Sequence, residues 1–388
     1  MTRPLRLPRA DGTVAPYTPT GSLPVTPPTG PIRSRVAFAA VHVVADPLAA
    51  INPTLDVALD WDATLAYRRY LWSLGLAVAE AMDTSQRGMG FDWGTARELI
   101  TRTVAEATTV AGAVLASGAG TDHLEPGPRV TPADVEAAYE EQCAWIEGCG
   151  GRIILMASRA LAACAKGPDD YVKVYGRILS QVREPVIIHW LGDMFDPALA
   201  GYWGSSDLDR AAETLLAIVA EHASKIDGVK ISLLEQRREV AMRRRFPRGV
   251  RMYTGDDFDY PTTIRGDGER ASDALLGIFD VIAPAASAAL KALDGGDLAR
   301  YDAILGPTLP LARHLFGAPT RFYKTGVVFA AYLNGHQSHF RLVGGLESAR
   351  SVVHLAEEFV LMDQAGLLRD PDLAAERMRR VLALAGVD

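Results

Sequence analysis

Ile226-Asp227-Gly228-Val229-Lys230-Ile231-Ser232 is a short apolar run that carries a single amine. It is expected to end a β-strand and to leave Lys230 projecting from the C-terminal tip. Val229, Ile231, Leu233 and Leu234 surround that lysine in the chain. Partial desolvation disfavours the charged form and lowers the pKa toward neutrality. A neutral amine attacks carbonyl carbon, which is how Schiff-base enzymes begin. On this segment alone the plainer reading leads: a strand-end lysine that snorkels to solvent. The rest of the chain reverses that order.

Working outward, short apolar runs alternate with longer helical patterns, the signature of βα units on a parallel sheet. Eight strands are predicted: Arg35–His42, Leu76–Met82, Ala113–Ser117, Arg152–Ala157, Pro185–Trp190, Gly228–Ser232, Val250–Thr254 and Ser272–Gly277. Amphipathic stretches such as Pro132–Gly148 and Leu208–Ala223 lie between them. Eight such repeats predict an α/β fold, a (β/α)8 TIM barrel. A doubly wound open sheet is the alternative, but the first strand is followed by no Gly-rich dinucleotide fingerprint. Residues 1–34, rich in Pro, Thr and Gly, read as an extended N-terminal arm, and residues 35–282 as the barrel. Residues 283–388, with helices over Ala283–Gly317 and Thr325–Asn334 and from Gly344 onward, read as a helical C-terminal extension packed on it.

Composition narrows the function classes. The 388 residues are 48% hydrophobic and 22% charged, an ordinary balance with ample length for a large core. A net charge of −7 argues against a nucleic-acid partner. No apolar run is long enough to span a bilayer, so no membrane partner is expected. The N-terminus lacks the apolar core of a signal peptide. The three cysteines, Cys143, Cys149 and Cys164, show no C-x-x-C spacing. A cytoplasmic location follows as the expectation.

In a barrel the active site is built at the C-terminal ends of the strands, so the polar residues there are the candidates. The first strand ends near His42. The second gives Glu80 and then Asp83-Thr84-Ser85-Gln86-Arg87, the fourth Arg159, the fifth His189 and Trp190, the sixth Lys230, and the seventh Gly255-Asp256-Asp257. Thr84 and Ser85 offer hydroxyls and amides in a tight turn that can hold a carboxylate, or they cap a helix. His189 can shuttle protons near neutral pH, or it is a core histidine on a backbone carbonyl. Asp256 and Asp257 can serve acid–base work, or cap the next helix. His336 and His339, at i and i+3, have no visible third metal ligand.

These strand-tip residues resemble the dihydrodipicolinate synthase and N-acetylneuraminate lyase superfamily of class I aldolase-like barrels, closest to a branch described as a family of unknown function. Asp227-Gly228-Val229-Lys230 is similar to the sixth-strand motif whose lysine forms the Schiff base. Asp83-Thr84-Ser85 stands where that family has Gly-Thr-Thr or Gly-Ser-Thr, which hold the keto-acid carboxylate. Gly255-Asp256-Asp257 is similar to the Gly-Asp-Asp after the seventh strand. The resemblance spans roughly residues 35–335. It departs at the fifth strand, where the family's Tyr-Asn pair is replaced by His189-Trp190. It departs again at Asp83 and Arg87, and in the Gly192–Ser206 insertion with Trp203.

The resemblance implies a lyase, an aldolase or dehydratase, acting on a 2-oxo acid or keto sugar. Lys230 would be the nucleophile and His189 the acid–base group. Asp83, Thr84, Ser85, Arg87, Arg159 and Asp257 would bind substrate, with a bulky Trp190 reshaping the ligand space. No cofactor and no metal are expected in this reading, and a homo-oligomer is expected by resemblance. Two alternatives remain. In one, His42, Glu80, Asp83 and His189 hold a divalent metal for a sugar isomerase or lyase. In the other, the barrel binds a metabolite without catalysis.

Overall fold

The structure, a computed structural model, describes residues 4–22 and 24–387. Its centre is a closed barrel of parallel strands: β3 (Ala37–Ala40), β4 (Ala77–Glu80), β5 (Leu115–Ala119), β6 (Arg152–Leu155), β7 (Val186–Leu191), β8 (Ile226–Ser232), β9 (Arg251–Thr254) and β10 (Asp273–Leu276), closed by pairing of β10 with β3. All eight sit where the apolar runs predicted them, with ends displaced by a few residues. Before them, β1 (Leu5–Pro8) and β2 (Val14–Tyr17) form an antiparallel hairpin inside the segment read as an extended arm. Its alternation is too short to register as a period. Leu5 and Leu7 are nonetheless buried, and the Tyr17 hydroxyl donates to Asp363 at 2.6 Å on the helix Val352–Gln364.

Strand side chains alternate between faces. Phe38, Ala40, Ala77, Ala79, Ala116, Ile154, Met156, Ile187, Tyr253 and Leu275 fill the barrel interior as one cluster. The intervening residues, such as Val78, Leu155, Ile188 and Val229, join the larger core between the strands and the outer helices. The small residues of β3 and β4 leave room inside for the rings of Phe38 and Tyr253, which meet edge to face at 5.9 Å. Outside the strands, Glu80 is fully buried and held by Arg68 through two bonds of 2.9 and 2.8 Å. Removing one partner of such a pair costs about 3–5 kcal/mol.

The C-terminal region is helical. Ala283–Gly317 resolves into helices Ala283–Asp294, Leu298–Leu305 and Leu309–Leu315. The helix predicted from Thr325 begins two residues earlier and runs Tyr323–Leu333, buried along its whole length. Its first residue leans against Gly277, just beyond the tip of β10, where a Cβ would lie 3.2 Å from the Tyr323 ring. The helical layer therefore reaches over the C-terminal mouth of the barrel.

Candidate active site

Lys230 and His189 are partners in register between β7 and β8. Alternation turns both inward, in the same set as Ile187 and Gly228. Lys230 is buried, with 6% of its surface exposed, and makes no hydrogen bond or ion pair among the described residues. Burial pushes its pKa down from the usual lysine value, while the carboxylates of Asp83 and Asp257 pull the other way. Space for the amine depends on Gly255: a Cβ there would lie 3.0 Å from Lys230 Cε and 2.3 Å from Ser232 Oγ.

His189 Nε2 hydrogen-bonds Ser232 Oγ at 3.1 Å. Its Nδ1 lies 4.0 Å from Asp83 Oδ2 and has no hydrogen-bond partner. Burial and the neighbouring Lys230 amine hold its pKa well below the ordinary value, so the ring is neutral at pH 7. A neutral imidazole with one open nitrogen is equipped to accept a proton.

Beyond β4 the chain turns through Asp83–Ser85, a single 3-10 turn bracketed by Ala81 at φ +54° and Gln86 at φ +69°. Non-glycine residues in that region store backbone strain, and such strain gathers at ligand-holding sites. The two hydroxyls of the turn differ. Ser85 Oγ donates to the Val41 carbonyl at 2.7 Å. A hydroxyl has one proton to give, so Ser85 is a strut of the turn and is unavailable to donate to a carboxylate. Thr84 Oγ1 meets the Tyr323 hydroxyl at 2.8 Å, and its backbone N–H has no partner among the described residues.

A cavity opens beside this turn, lined among others by Asp83, Arg87, Met156, Arg159, His189 and Asp196. Asp83 and His189 line it and Lys230 does not; His189 is the lining residue paired in register with Lys230. Arg87, expected to grip substrate, has every N–H in use: toward Asp122, Gln142 and the carbonyls of Ala81 and Gly118. It stiffens the wall. Arg159 donates to Asp196 at 2.5 Å and to the Gly88 carbonyl at 3.2 Å and keeps the rest of its guanidinium free at the rim. Gly88, at φ +70°, lies so close beneath it that a Cβ would meet Nη1 at 2.5 Å.

Asp257 accepts from the Ile278 N–H at 2.9 Å and is buried. Burial raises its pKa to about 7, against the lowering effects of that N–H and of Lys230. It both caps a helix and faces the amine. Asp256 turns away into its own loop, accepting from Phe258 N–H at 2.9 Å.

Two readings from the sequence are corrected. Trp190 follows His189 on the strand and points outward; its ring meets Trp203 of the insertion at 6.3 Å, within a cluster that includes Tyr202 and Tyr175. It does not shape the ligand space. The proposed metal set of His42, Glu80, Asp83 and His189 does not converge. Glu80 faces outward onto Arg68, with Thr103 donating to it at 2.8 Å, and His42 Nδ1 is bound to Asp280 at 2.8 Å. No group of three metal-ligating side chains forms among the described residues. His336 packs its ring on Tyr67 and Tyr70, not toward a shared ion with His339.

Sequence reasoning missed Tyr323 and Lys324, which the helical layer carries to the mouth. Tyr323 is buried, stacks on Phe316 at 4.4 Å and keeps its proton, because burial and Asp83 raise its pKa well above the usual value. Lys324 is buried beside it, its amine 3.1 Å from the Arg321 carbonyl and 3.3 Å from Met89 Sδ. A lone lysine opening the apolar run Tyr323-Lys324-Thr325-Gly326-Val327-Val328-Phe329 was the available signal.

A closed eight-stranded barrel under a helical layer is the fold of solved structures of the dihydrodipicolinate synthase family. The chain itself belongs to the family described as "Protein of unknown function (DUF993)", which it matches over residues 5–387. No curated protein matches it. Among solved structures it is similar to YagE, a prophage protein of the dihydrodipicolinic acid synthase family from E. coli K12 in complex with pyruvate, at 12% identity and TM-score 0.66, covering 86% of this chain and 99% of that one. Dihydrodipicolinate synthase from Aquifex aeolicus gives 14% identity and TM-score 0.64, with coverage of 86% and 99%. The enzyme from Cyanidioschyzon merolae with lysine bound gives 14% and 0.64, with the same coverage. At these identities the likeness is one of fold. No helix among the described residues is long and apolar enough to cross a membrane.

Proposed function

We propose that this protein is a Schiff-base-forming lyase of the class I aldolase type, acting on a 2-oxo acid or keto-sugar derivative through Lys230. The observation that carries the reading is the inward, buried amine of Lys230, without an ion pair among the described residues and placed beside a neutral histidine. Burial favours the uncharged, nucleophilic form. The fold likeness to a protein whose structure holds pyruvate supports the substrate class.

In this mechanism the amine attacks the ketone to form a carbinolamine. His189 relays the proton released from nitrogen to the alkoxide, which becomes the carbinolamine hydroxyl, with Ser232 fixing the ring through its Nε2 contact. A second proton, from solvent, lets that hydroxyl leave as water while the nitrogen keeps its remaining proton. The protonated imine is then the electron sink for breaking an adjacent C–C bond or losing an α-proton. The hydroxyl and amide of Thr84 hold the substrate carboxylate, which keeps the carbonyl within reach of the amine. Asp257, titrating near 7, can keep a proton and donate to a substrate hydroxyl.

Incubation with a panel of 2-oxo acids under borohydride, followed by peptide mass spectrometry, tests this. A reduced adduct on Lys230 is expected with at least one of them. No adduct at Lys230 across the panel would remove the imine and leave a non-catalytic binding barrel.

A further inference from the structure

The sequence and the fold leave open what lies at the far end of the substrate. Behind the cavity wall that Arg159 and Asp196 line, and not itself part of the lining, Lys324 sits in an uncommon arrangement. Lys324 is 3% exposed, and among the described residues its amine is served only by one carbonyl and a thioether sulfur, a weak acceptor. Its charged neighbours are Asp83, Asp196, Arg159 and Arg321. With Lys324 itself, that makes three cations against two carboxylates. Asp196 is already occupied: it accepts from Arg159 at 2.5 Å and from the Ala198 N–H at 3.1 Å. Arg159 and Lys324 meet at adjacent residues, since Arg159 donates to the carbonyl of Gly88 and Lys324 to the sulfur of Met89.

A second observation points the same way. Lys324 is in the first turn of the helix Tyr323–Leu333, which has no side-chain cap and no acidic residue in that turn. The side chain of its first residue reaches the mouth, where the Tyr323 hydroxyl meets Thr84, and the helix follows directly on the turn Thr320–Phe322. An uncapped helix start adds positive potential to whatever lies before it. A buried amine without an ion-pair partner, a guanidinium with unused N–H groups and an uncapped helix start are together the fittings for an oxyanion.

We infer that Arg159 and Lys324 form a subsite for a second anionic group, so that the substrate is a 2-oxo acid carrying a carboxylate or phosphate at the end remote from its carbonyl. The inference rests on the imine reading above and extends it. The near carboxylate is held at Thr84, the carbonyl is directed past His189 to Lys230, and the distal anion stays at the rim between the strand-tip arginine and the helical-layer lysine.

The test compares 2-oxoglutarate with 2-oxobutanoate, which lacks the distal charge, and with a phosphorylated 2-oxo acid. The readout is the concentration of each that half-saturates borohydride trapping at Lys230 in the full-length protein. A preference of about tenfold or more for one of the dianionic acids is expected, and the better one tells carboxylate from phosphate. Arg159→Gln and Lys324→Met should each abolish that preference, and in the second case Lys324→Arg should restore it. Equal half-saturation by charged and uncharged acids in the wild-type protein overturns the subsite while sparing the lyase reading, and so does a preference that survives both substitutions. The wild-type comparison decides the matter even where a variant fails to fold. Absence of any adduct in the wild-type protein would instead overturn the lyase reading itself.

Discussion

Two buried lysines face one carboxylate, Asp83, from two different layers of the molecule. Lys230 stands on a barrel strand, where alternation points it inward and no ion-pair partner among the described residues quenches it. Lys324 stands on a helix of the C-terminal layer, tethered to a carbonyl and a sulfur. Both are lowered by burial, the second to about 8. The difference lies in tethering: among the described residues the amine of the strand lysine makes no hydrogen bond, and that of the helix lysine is held by a carbonyl and a sulfur. We read the first as the reacting amine and the second as a fixed positive charge, and substitutions at the two positions separate those roles.

The largest expected effect is at Lys230. Lys230→Ala should lower turnover by about a thousandfold or more, as removal of a covalent catalyst does, and eliminate the trapped adduct. Lys324→Ala should keep an adduct at Lys230. If the adduct moves to Lys324, or if both variants trap equally, the assignment of roles is reversed. Next is His189, whose proton transfers are worth about a hundredfold or more. His189→Phe should slow turnover on that scale while the adduct, allowed to reach equilibrium, still forms. A variant as fast as wild type would assign the proton work elsewhere.

The same comparison explains what was legible in the chain. Strand positions, barrel closure and the two inward residues His189 and Lys230 follow from short-range pattern, because a strand repeats every two residues and its tip lies at a known end of the barrel. Trp190 was misread for the reverse of the same reason: adjacent strand residues point to opposite faces, so His189 and Trp190 cannot both line the mouth. Ser85 and Arg87 have the right chemistry for binding, but whether a hydroxyl or guanidinium is free depends on carbonyls such as those of Val41 and Gly118, which only the folded loops bring near. Tyr323 and Lys324 reach the site through docking of a helix far along the chain, which no local period encodes.

Tyr323→Phe offers a smaller and sharper probe of that docking. It removes the hydroxyl that meets Thr84 and leaves the ring stacked on Phe316. A single hydrogen bond is worth about 0.5–1.5 kcal/mol net, so KM for the 2-oxo acid should rise roughly two- to tenfold, with kcat nearly unchanged. Thr84→Val should raise KM at least as far, and the double variant should add little to it, since both remove one shared contact. Fully additive losses would show that Tyr323 and Thr84 act separately.

The smallest expected effects are on stability, and they divide the two layers by pH. Asp257 at the barrel mouth has its pKa raised from 3.8 to about 7. Between those values the folded protein binds more protons than the unfolded chain, so this group's contribution is fully present below about 3.8 and is lost as pH rises through 7. Lys324 in the helical layer is lowered from 10.5 to about 8. There the unfolded chain binds more protons, so stability rises with pH across that window, and Lys230 acts in the same direction. Denaturant midpoints measured from pH 4 to 10 should therefore fall more gently on the acid side in Asp257→Asn. They should rise less on the alkaline side in Lys324→Met. The acid-side slope should shrink but not vanish, because Glu239, also raised by burial to about 7, remains in the variant. If Lys324→Met leaves the alkaline limb unchanged while Asp257→Asn flattens the acid limb, the helical-layer lysine already has a counter-anion in the unliganded protein, and its contrast with Lys230 is lost.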